Sequence, residues 1–140
     1  MRFVLTEKVV RNTVKTLLVA VTLLAVGVAT YDMRPRQNLI EPFQYLIEAV
    51  LWILFQTLPP ALYWLLFRRI IQACSSEWQR LGMLIISALL IGFYSIGYLD
   101  WIGSTDPKRG LVFFMWPILA LLPVGFIAAV YFVLSKFRNL

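Results

Sequence analysis

The chain has 140 residues, of which 61% are apolar and 14% charged, and it carries a formal net charge of +6 at pH 7. A soluble domain has about a quarter of its residues charged and roughly half apolar, so this composition indicates a membrane protein. The basic residues lie between long apolar runs, which argues against a basic nucleic-acid-binding face and favours positively charged cytoplasmic loops.

Cys74 is the single cysteine, and the chain has no histidine. An intramolecular disulfide is therefore impossible, and haem or zinc sites with histidine ligands are excluded. Nucleophilic pairs that use histidine as the base are excluded as well. We expect no metal site, no cofactor and no catalytic residue of these kinds.

The first apolar run covers residues 16–31 and contains no charge, but it is short for a membrane span. The residues before it alternate with helical periodicity, which predicts a short amphipathic helical lead-in at the membrane surface. Its polar face would hold Lys8, Arg11, Asn12 and Lys15, opposite Val10, Val14 and Leu17. The alternative is that these residues are only the basic flank of the first transmembrane helix.

The second run covers residues 42–67 and contains Glu48, the one charged residue well inside a predicted span. An ionisable residue inside a membrane is a candidate functional residue with a partner. Gln44 lies one helical turn earlier on the same face, and Tyr94 and Tyr98 of the third run are further candidates for hydrogen bonds to a carboxyl group. The alternative is a tolerated residue, because Glu48 lies only about 10 Å along the helix from Glu41.

The third and fourth runs cover residues 81–99 and 111–135. Ser76 followed by Gln79 fits a capping box and predicts the start of the third helix before its apolar part. Small residues spaced four apart at Ala25 and Ala29, at Ala88 and Gly92, and at Gly125 and Ala129 predict close helix contacts within the bundle or between copies. Pro59, Pro60, Pro117 and Pro123 each free a backbone carbonyl and favour a kink.

The basic residues are divided unequally between the two sides of the membrane. Nine lie on one side, namely Arg2, Lys8, Arg11, Lys15, Arg68, Arg69, Arg80, Lys136 and Arg138. Four lie on the other, namely Arg34, Arg36, Lys108 and Arg109. The positive-inside rule therefore predicts that both termini are cytoplasmic, and the imbalance argues against a dual-topology exporter.

The fold class expected from these features is an all-α integral membrane protein with four transmembrane helices in an up-down bundle. Residues 1–140 would form a single four-helix transmembrane domain. In size and four-span topology the chain is similar to small bacterial membrane proteins such as immunity proteins against pore-forming toxins and small exporters. We therefore expect a multi-pass protein of the bacterial inner (plasma) membrane.

The favoured function is recognition of another protein within the membrane, as an immunity-type protein or an accessory subunit. The expected partners are the lipid bilayer and either another membrane protein or further copies of this chain, and no nucleic acid. The outer loops supply candidate recognition residues, which are Asp32, Arg34, Arg36, Asp100, Asp106, Lys108 and Arg109.

Two other functions stay open. A small oligomeric transporter or channel would use Glu48 as a proton or cation site. An enzyme at the outer surface would use Asp32, Asp100 and Glu41 for general acid–base chemistry, but no spacing motif fixes these acids together.

Overall fold

The computed structural model describes residues 4–33, 41–103 and 112–138, and the chain is helical over nearly all of these ranges. The helices are α1 (Glu7–Met33), α2 (Pro42–Ala73), α3 (Glu77–Gly103) and α4 (Val112–Arg138). All four are long and apolar enough to cross a membrane. The all-helical fold and the four candidate membrane spans predicted from the sequence are thus confirmed.

Each helix extends past the apolar run from which it was predicted. Helices α1, α3 and α4 have 27 residues and α2 has 32, which correspond to about 40 and 48 Å at ~1.5 Å per residue. The hydrocarbon core is only ~30 Å thick. In a bilayer the helix ends would therefore extend into the headgroup regions, and most charged residues of the helices lie near those ends.

The amphipathic lead-in does not form a separate helix. Residues 7–15 are the first turns of α1, which continues without a break to Met33. Val10 and Val14 are fully buried in the bundle, and the buried seam runs on through Leu18, Val21 and Ala25. The apolar face assigned to the membrane surface is therefore a packing face, because packing against helices and lying on lipid demand the same periodicity.

Local sequence signals set the starts of α2 and α3. Pro42 occupies the first turn of α2, where its missing N–H costs nothing. At α3, the Gln79 backbone N–H donates to the Ser76 hydroxyl at 3.2 Å, and the Ser76 N–H donates to the Gln79 Oε1 at 3.3 Å. The predicted capping box is confirmed.

Backbone packing among the described residues is most extensive between α1 and each of α2 and α3, and between α4 and each of α2 and α3. Helices α2 and α3 are joined by only the residues from Cys74 to Ser76. They meet chiefly through long side chains that reach across the bundle, as described below. This arrangement positions glutamine and tyrosine side chains of α2 and α3 at the centre.

The three pairs of small residues have different surroundings. Ala25 and Ala29 are buried in the seam of α1, so this pair makes the predicted contact within the bundle. Ala88 and Gly92 on α3 are exposed, and so are Gly125 and Ala129 on α4.

The segment before α1 is held against the start of α3. The Leu5 backbone N–H donates to the Glu77 carboxylate at 3.2 Å, and the Arg80 guanidinium donates to the Leu5 carbonyl at 3.3 Å. Both backbone polar groups of Leu5 are thus satisfied by side chains more than 70 residues away.

Candidate functional site

A buried hydrogen-bonded cluster joins α2 to α3 at the middle of the bundle. Gln56 is fully buried, and Tyr94 and Tyr98 of α3 lie against it. The Tyr94 hydroxyl donates to the Gln56 backbone carbonyl at 2.5 Å. The Tyr98 hydroxyl contacts the Gln56 side-chain amide and lies 3.0 Å from the Tyr94 hydroxyl.

The origin of this cluster lies in the Pro59-Pro60 step. In a regular helix the N–H of residue 60 would donate to the carbonyl of Gln56, but proline has no N–H. A carbonyl without a donor is costly in an apolar interior. The Tyr94 hydroxyl replaces the missing helical donor, so α3 satisfies the backbone group that Pro60 frees in α2.

Both tyrosine hydroxyls donate to Gln56. The Tyr94 hydroxyl donates to the backbone carbonyl, and the Tyr98 hydroxyl donates to the side-chain Oε1. A tyrosine hydroxyl has one proton and can also accept. The Tyr94 oxygen, 3.0 Å from the Tyr98 hydroxyl, therefore acts as a second acceptor for the Tyr98 proton.

A second polar contact lies two helical turns nearer the α2–α3 connection. The Tyr63 hydroxyl is 2.6 Å from the Ser87 hydroxyl, which donates to the Met83 carbonyl at 2.7 Å. Tyr63 therefore donates to Ser87, and both hydroxyls are used. Both residues are buried.

Helix α4 closes the cluster from the other side. The Trp116 indole N–H donates to the Tyr94 carbonyl at 2.8 Å, and its ring stacks on Phe93 with 4.8 Å between centroids. The indole also crosses directly over Gly97, where a Cβ atom would collide with it. Gly97 is thus required for this close approach of α3 and α4.

The interior that these residues enclose is small and dry. A cavity of about 30 Å³ lies between all four helices, lined by groups such as Leu18, Pro60, Ile91 and Val124. This volume would hold one or two water molecules, but an apolar lining gives water too few partners. The described centre of the bundle therefore has no room for a hydrated ion.

The other candidate region is the beginning of α2. We call residues 42–55 the entry segment; none of its side chains is buried, whereas α2 has buried residues from Gln56 onward. Phe43 is 72% exposed. The entry segment thus extends along the outside of the bundle for about 20 Å.

Glu48 lies half-buried in this entry segment. The Gln44 amide donates to its carboxylate over a long 3.5 Å contact. Glu48 also lines an open groove of about 360 Å³ with Leu51, Trp52 and Phe55. The groove combines a carboxylate with aromatic walls on the outside of the bundle.

The predicted intramembrane candidates therefore belong to two separate places. Gln44 and Glu48 lie together in the entry segment, and Tyr94 and Tyr98 lie together in the buried cluster. The tyrosine hydroxyls are directed to Gln56, eight residues and about 12 Å further along α2 than Glu48.

The predicted outer-loop residues are only partly described. Asp32 is half-buried near the end of α1, and Asp100 is exposed near the end of α3. An edge-to-face contact between Tyr31 and Trp101, with 6.0 Å between ring centroids, brings these two helix ends together. Five candidates lie outside the described residues, namely Arg34, Arg36, Asp106, Lys108 and Arg109.

Gln56 and Tyr63 were not among the predicted site residues. The signal for Gln56 was present, because it stands four residues before Pro60 and its carbonyl must find a donor elsewhere. Within the described ranges, no three acidic or cysteine side chains are grouped as they would be to hold a metal ion.

Comparison with known proteins assigns no relative to the chain. No protein-family model matches it, and neither a curated protein nor a solved structure resembles it to a significant degree.

Proposed function

We propose that this protein acts by binding another membrane protein through the entry segment of α2. The observation that carries the proposal is that residues 42–55 contain Glu48 and Gln44 yet have no fully buried side chain, with Trp52 half-buried against the core. Under this proposal the protein is an immunity-type protein or an accessory subunit of a membrane complex.

The energetics of a carboxyl group in lipid support this function. Placing an acidic side chain at the centre of a lipid-exposed helix costs about 2.5–3.5 kcal/mol on insertion scales, and less toward the interface. Such residues normally face a bundle interior or a water-filled cavity. A partner helix seated on the groove beside Glu48 would replace lipid with protein around the carboxyl group, and Trp52 and Phe55 would supply contact area.

The alternative is a small transporter or channel that uses Glu48 as a proton or cation site. It has less support, because Gln56, Tyr94, Tyr63 and Ser87 are engaged in hydrogen bonds between α2 and α3 and the central cavity is only about 30 Å³. Glu48 lines an outward groove and not that cavity. A transport path would have to form between several copies.

We further propose that the helices alternate in direction, with both termini cytoplasmic, in the bacterial inner membrane. The contacts of Gln56 with Tyr94 and of Tyr63 with Ser87 support opposite directions for α2 and α3. The contacts that join Leu5 to Arg80 and Tyr31 to Trp101 support a common direction for α1 and α3. The excess of basic residues at the ends near Leu5 supports the orientation.

Site-specific photocrosslinking tests the partner proposal. A photoreactive phenylalanine at Leu51 should crosslink to one defined membrane protein in native membranes, and Glu48→Leu should reduce that product several-fold. The matched control is the same probe at Leu89 on α3, which is 68% exposed and outside the entry segment. Equal protein crosslinking from both positions would contradict the assignment of the surface.

Reconstitution in liposomes distinguishes the binding function from the transporter alternative. The purified protein in liposomes should show no proton or cation flux above empty vesicles, and Glu48→Gln should leave that background unchanged. Flux that Glu48→Gln abolishes would replace the binding proposal with the transporter.

A further inference from the structure

The second half of α4 packs less closely against the bundle than the first half, although Val124 and Ile127 are partly buried against the core. No side chain of residues 121–138 is buried, whereas Pro117 and Ala120 near the other end of α4 are. Between this half of α4 and the adjoining ends of α2 and α3 lies an open cleft of about 370 Å³, which we call the α3–α4 cleft.

Two helical faces form the main walls of the α3–α4 cleft. The α3 wall consists of Gln79, Gly82, Met83 and Ile86, and the α4 wall of Tyr131, Leu134, Ser135 and Arg138. Both sets follow the spacing i, i+3, i+4, i+7, so each wall is one continuous face about 10 Å long. The end of α2 adds Ile70, Ala73 and Cys74.

Polarity changes along the cleft. Arg138 and Gln79 lie at the end nearest the α2–α3 connection, and Lys136 lies on the same last turn of α4 as Arg138. Met83, Ile86 and Leu134 line the deeper part. A cationic mouth above an apolar channel matches an anionic headgroup joined to a hydrocarbon chain.

The dimensions of the cleft suit a slender occupant. At about 370 Å³ and about 10 Å in length it can take part of one acyl chain, which is thin and flexible. Water would find few partners between the apolar walls.

We propose that the α3–α4 cleft binds one anionic phospholipid. The phosphate lies at Arg138, and an acyl chain lies between Met83, Ile86 and Leu134. This lipid site is at the opposite end of the bundle from the entry segment and does not depend on the function proposed above.

Native mass spectrometry with added phosphatidylglycerol or phosphatidylcholine tests the site. The wild-type protein should retain one phosphatidylglycerol and prefer it to phosphatidylcholine. Arg138→Gln should reduce that preference about fivefold, because one basic residue near the headgroup is lost. Equal retention of the two lipids by the wild-type protein would overturn the proposal.

A pair of glycine substitutions on α3 tests the location. Gly82 lines the cleft and has open space where a side chain would begin, so Gly82→Leu should fill the cleft and abolish retention of phosphatidylglycerol. Gly92→Leu is the control, since Gly92 also has open space but lies on the exposed face of the same helix. Unchanged retention of phosphatidylglycerol by Gly82→Leu would overturn the site. A change in oligomeric mass would also overturn it, because it would identify the cleft as a contact between copies.

Circular dichroism checks that both glycine variants fold. Arg138→Gln tests the site without a change in side-chain packing at Gly82.

Discussion

The Tyr94 hydroxyl and Pro60 form a complementary pair, in which one residue supplies the donor that the other removes. In water a carbonyl freed by proline would be solvated at little cost. Within a membrane the same carbonyl has no solvent donor, so the proline is tolerated only when a neighbouring helix provides one. The pair therefore links the conformation of α2 to the packing position of α3.

This pairing predicts a double-mutant effect. Tyr94→Phe should destabilise the protein by about 1 kcal/mol, since it leaves the Gln56 carbonyl without its donor. In a Pro60→Ala background the same change should cost less, because alanine restores a backbone N–H to that carbonyl. Unfolding in mixed micelles measures all four free energies.

The control for this cycle is Tyr31→Phe, since Tyr31 is 61% exposed and should contribute no coupling with position 60. Equal costs of Tyr94→Phe in the two backgrounds would mean that the hydroxyl does not replace the helical donor.

For a single residue, the sequence predicts that a carbonyl needs a hydrogen-bond donor but not which side chain supplies it. Four residues before any internal proline, a carbonyl loses its donor, and this could be stated for Gln56 without a structure. Which side chain donates to the Gln56 carbonyl depends on how α2 and α3 cross, because the donor, Tyr94, is 38 residues away in the sequence. The sequence places Tyr94 and Tyr98 on one polar face of α3. Pairing them with Glu48 depends on which level of α2 this face meets, and helical periodicity does not give that level.

Among the helices, α1 has the most continuous packing face. Its buried seam extends from Val10 to Ala29 in steps of three and four residues, with a few charged and polar groups on the other side. Small side chains at Ala25 and Ala29 allow neighbouring backbone to approach closely. The buried residues of the seam, and not the overall hydrophobicity of α1, determine where α1 packs in the bundle.

Enlarging a residue of the seam should be costly. Ala25→Leu should destabilise the fold by about 1–3 kcal/mol, because Ala25 is 0% exposed and the added carbons have no space. Ala20→Leu on the exposed side of α1 should change stability by less than about 0.5 kcal/mol. Thermal unfolding in detergent compares the two variants, and equal effects would show that the seam is not closely packed.

The sequence predicted the four helices, but it predicted only some of the helix faces that pack inside the bundle. Apolar run length is a direct physical requirement of a bilayer, so the four spans could be located. Small-residue spacing is common to bundle contacts and exposed faces, which is why only one of three such pairs is buried. The first turns of α1 were assigned to the membrane surface because an apolar helical face has the same spacing whether it packs against helices or against lipid.

For the molecule as a whole, packing is tight at the centre and opens at two diagonal places. The entry segment of α2 has no fully buried side chain at one end, and the last half of α4 has none at the other, although Trp52, Val124 and Ile127 still pack against the core. The two loosely packed surfaces therefore lie at opposite ends of the bundle. The first surrounds Glu48, and the second surrounds Arg138.

The orientation of the molecule can be tested with its own cysteine. Burial raises the pKa of the Cys74 thiol, and the nearby Arg80 opposes this effect only in part, while Glu7 adds to it. A raised pKa leaves less thiolate at neutral pH, so alkylation should be slow there and accelerate as the pH rises. A membrane-impermeant maleimide should label Cys74 in inverted vesicles but not in intact cells.

The control for labelling is Gln72→Cys in a Cys74→Ser background, because position 72 lies at the same end of the bundle and is exposed. It should react from the same side and faster at pH 7.5. Labelling of either cysteine in intact cells would reverse the proposed orientation.

During synthesis, Leu5 leaves the ribosome long before the two side chains that hold it. Glu77 and Arg80 follow 72 and 75 residues later, a delay of about 4–15 s at usual rates of translation. Throughout that interval the start of the chain has none of its final partners on α3. Anchoring of the N-terminal segment therefore follows the first two helices, and it can take place only after the first turn of α3 has been synthesised.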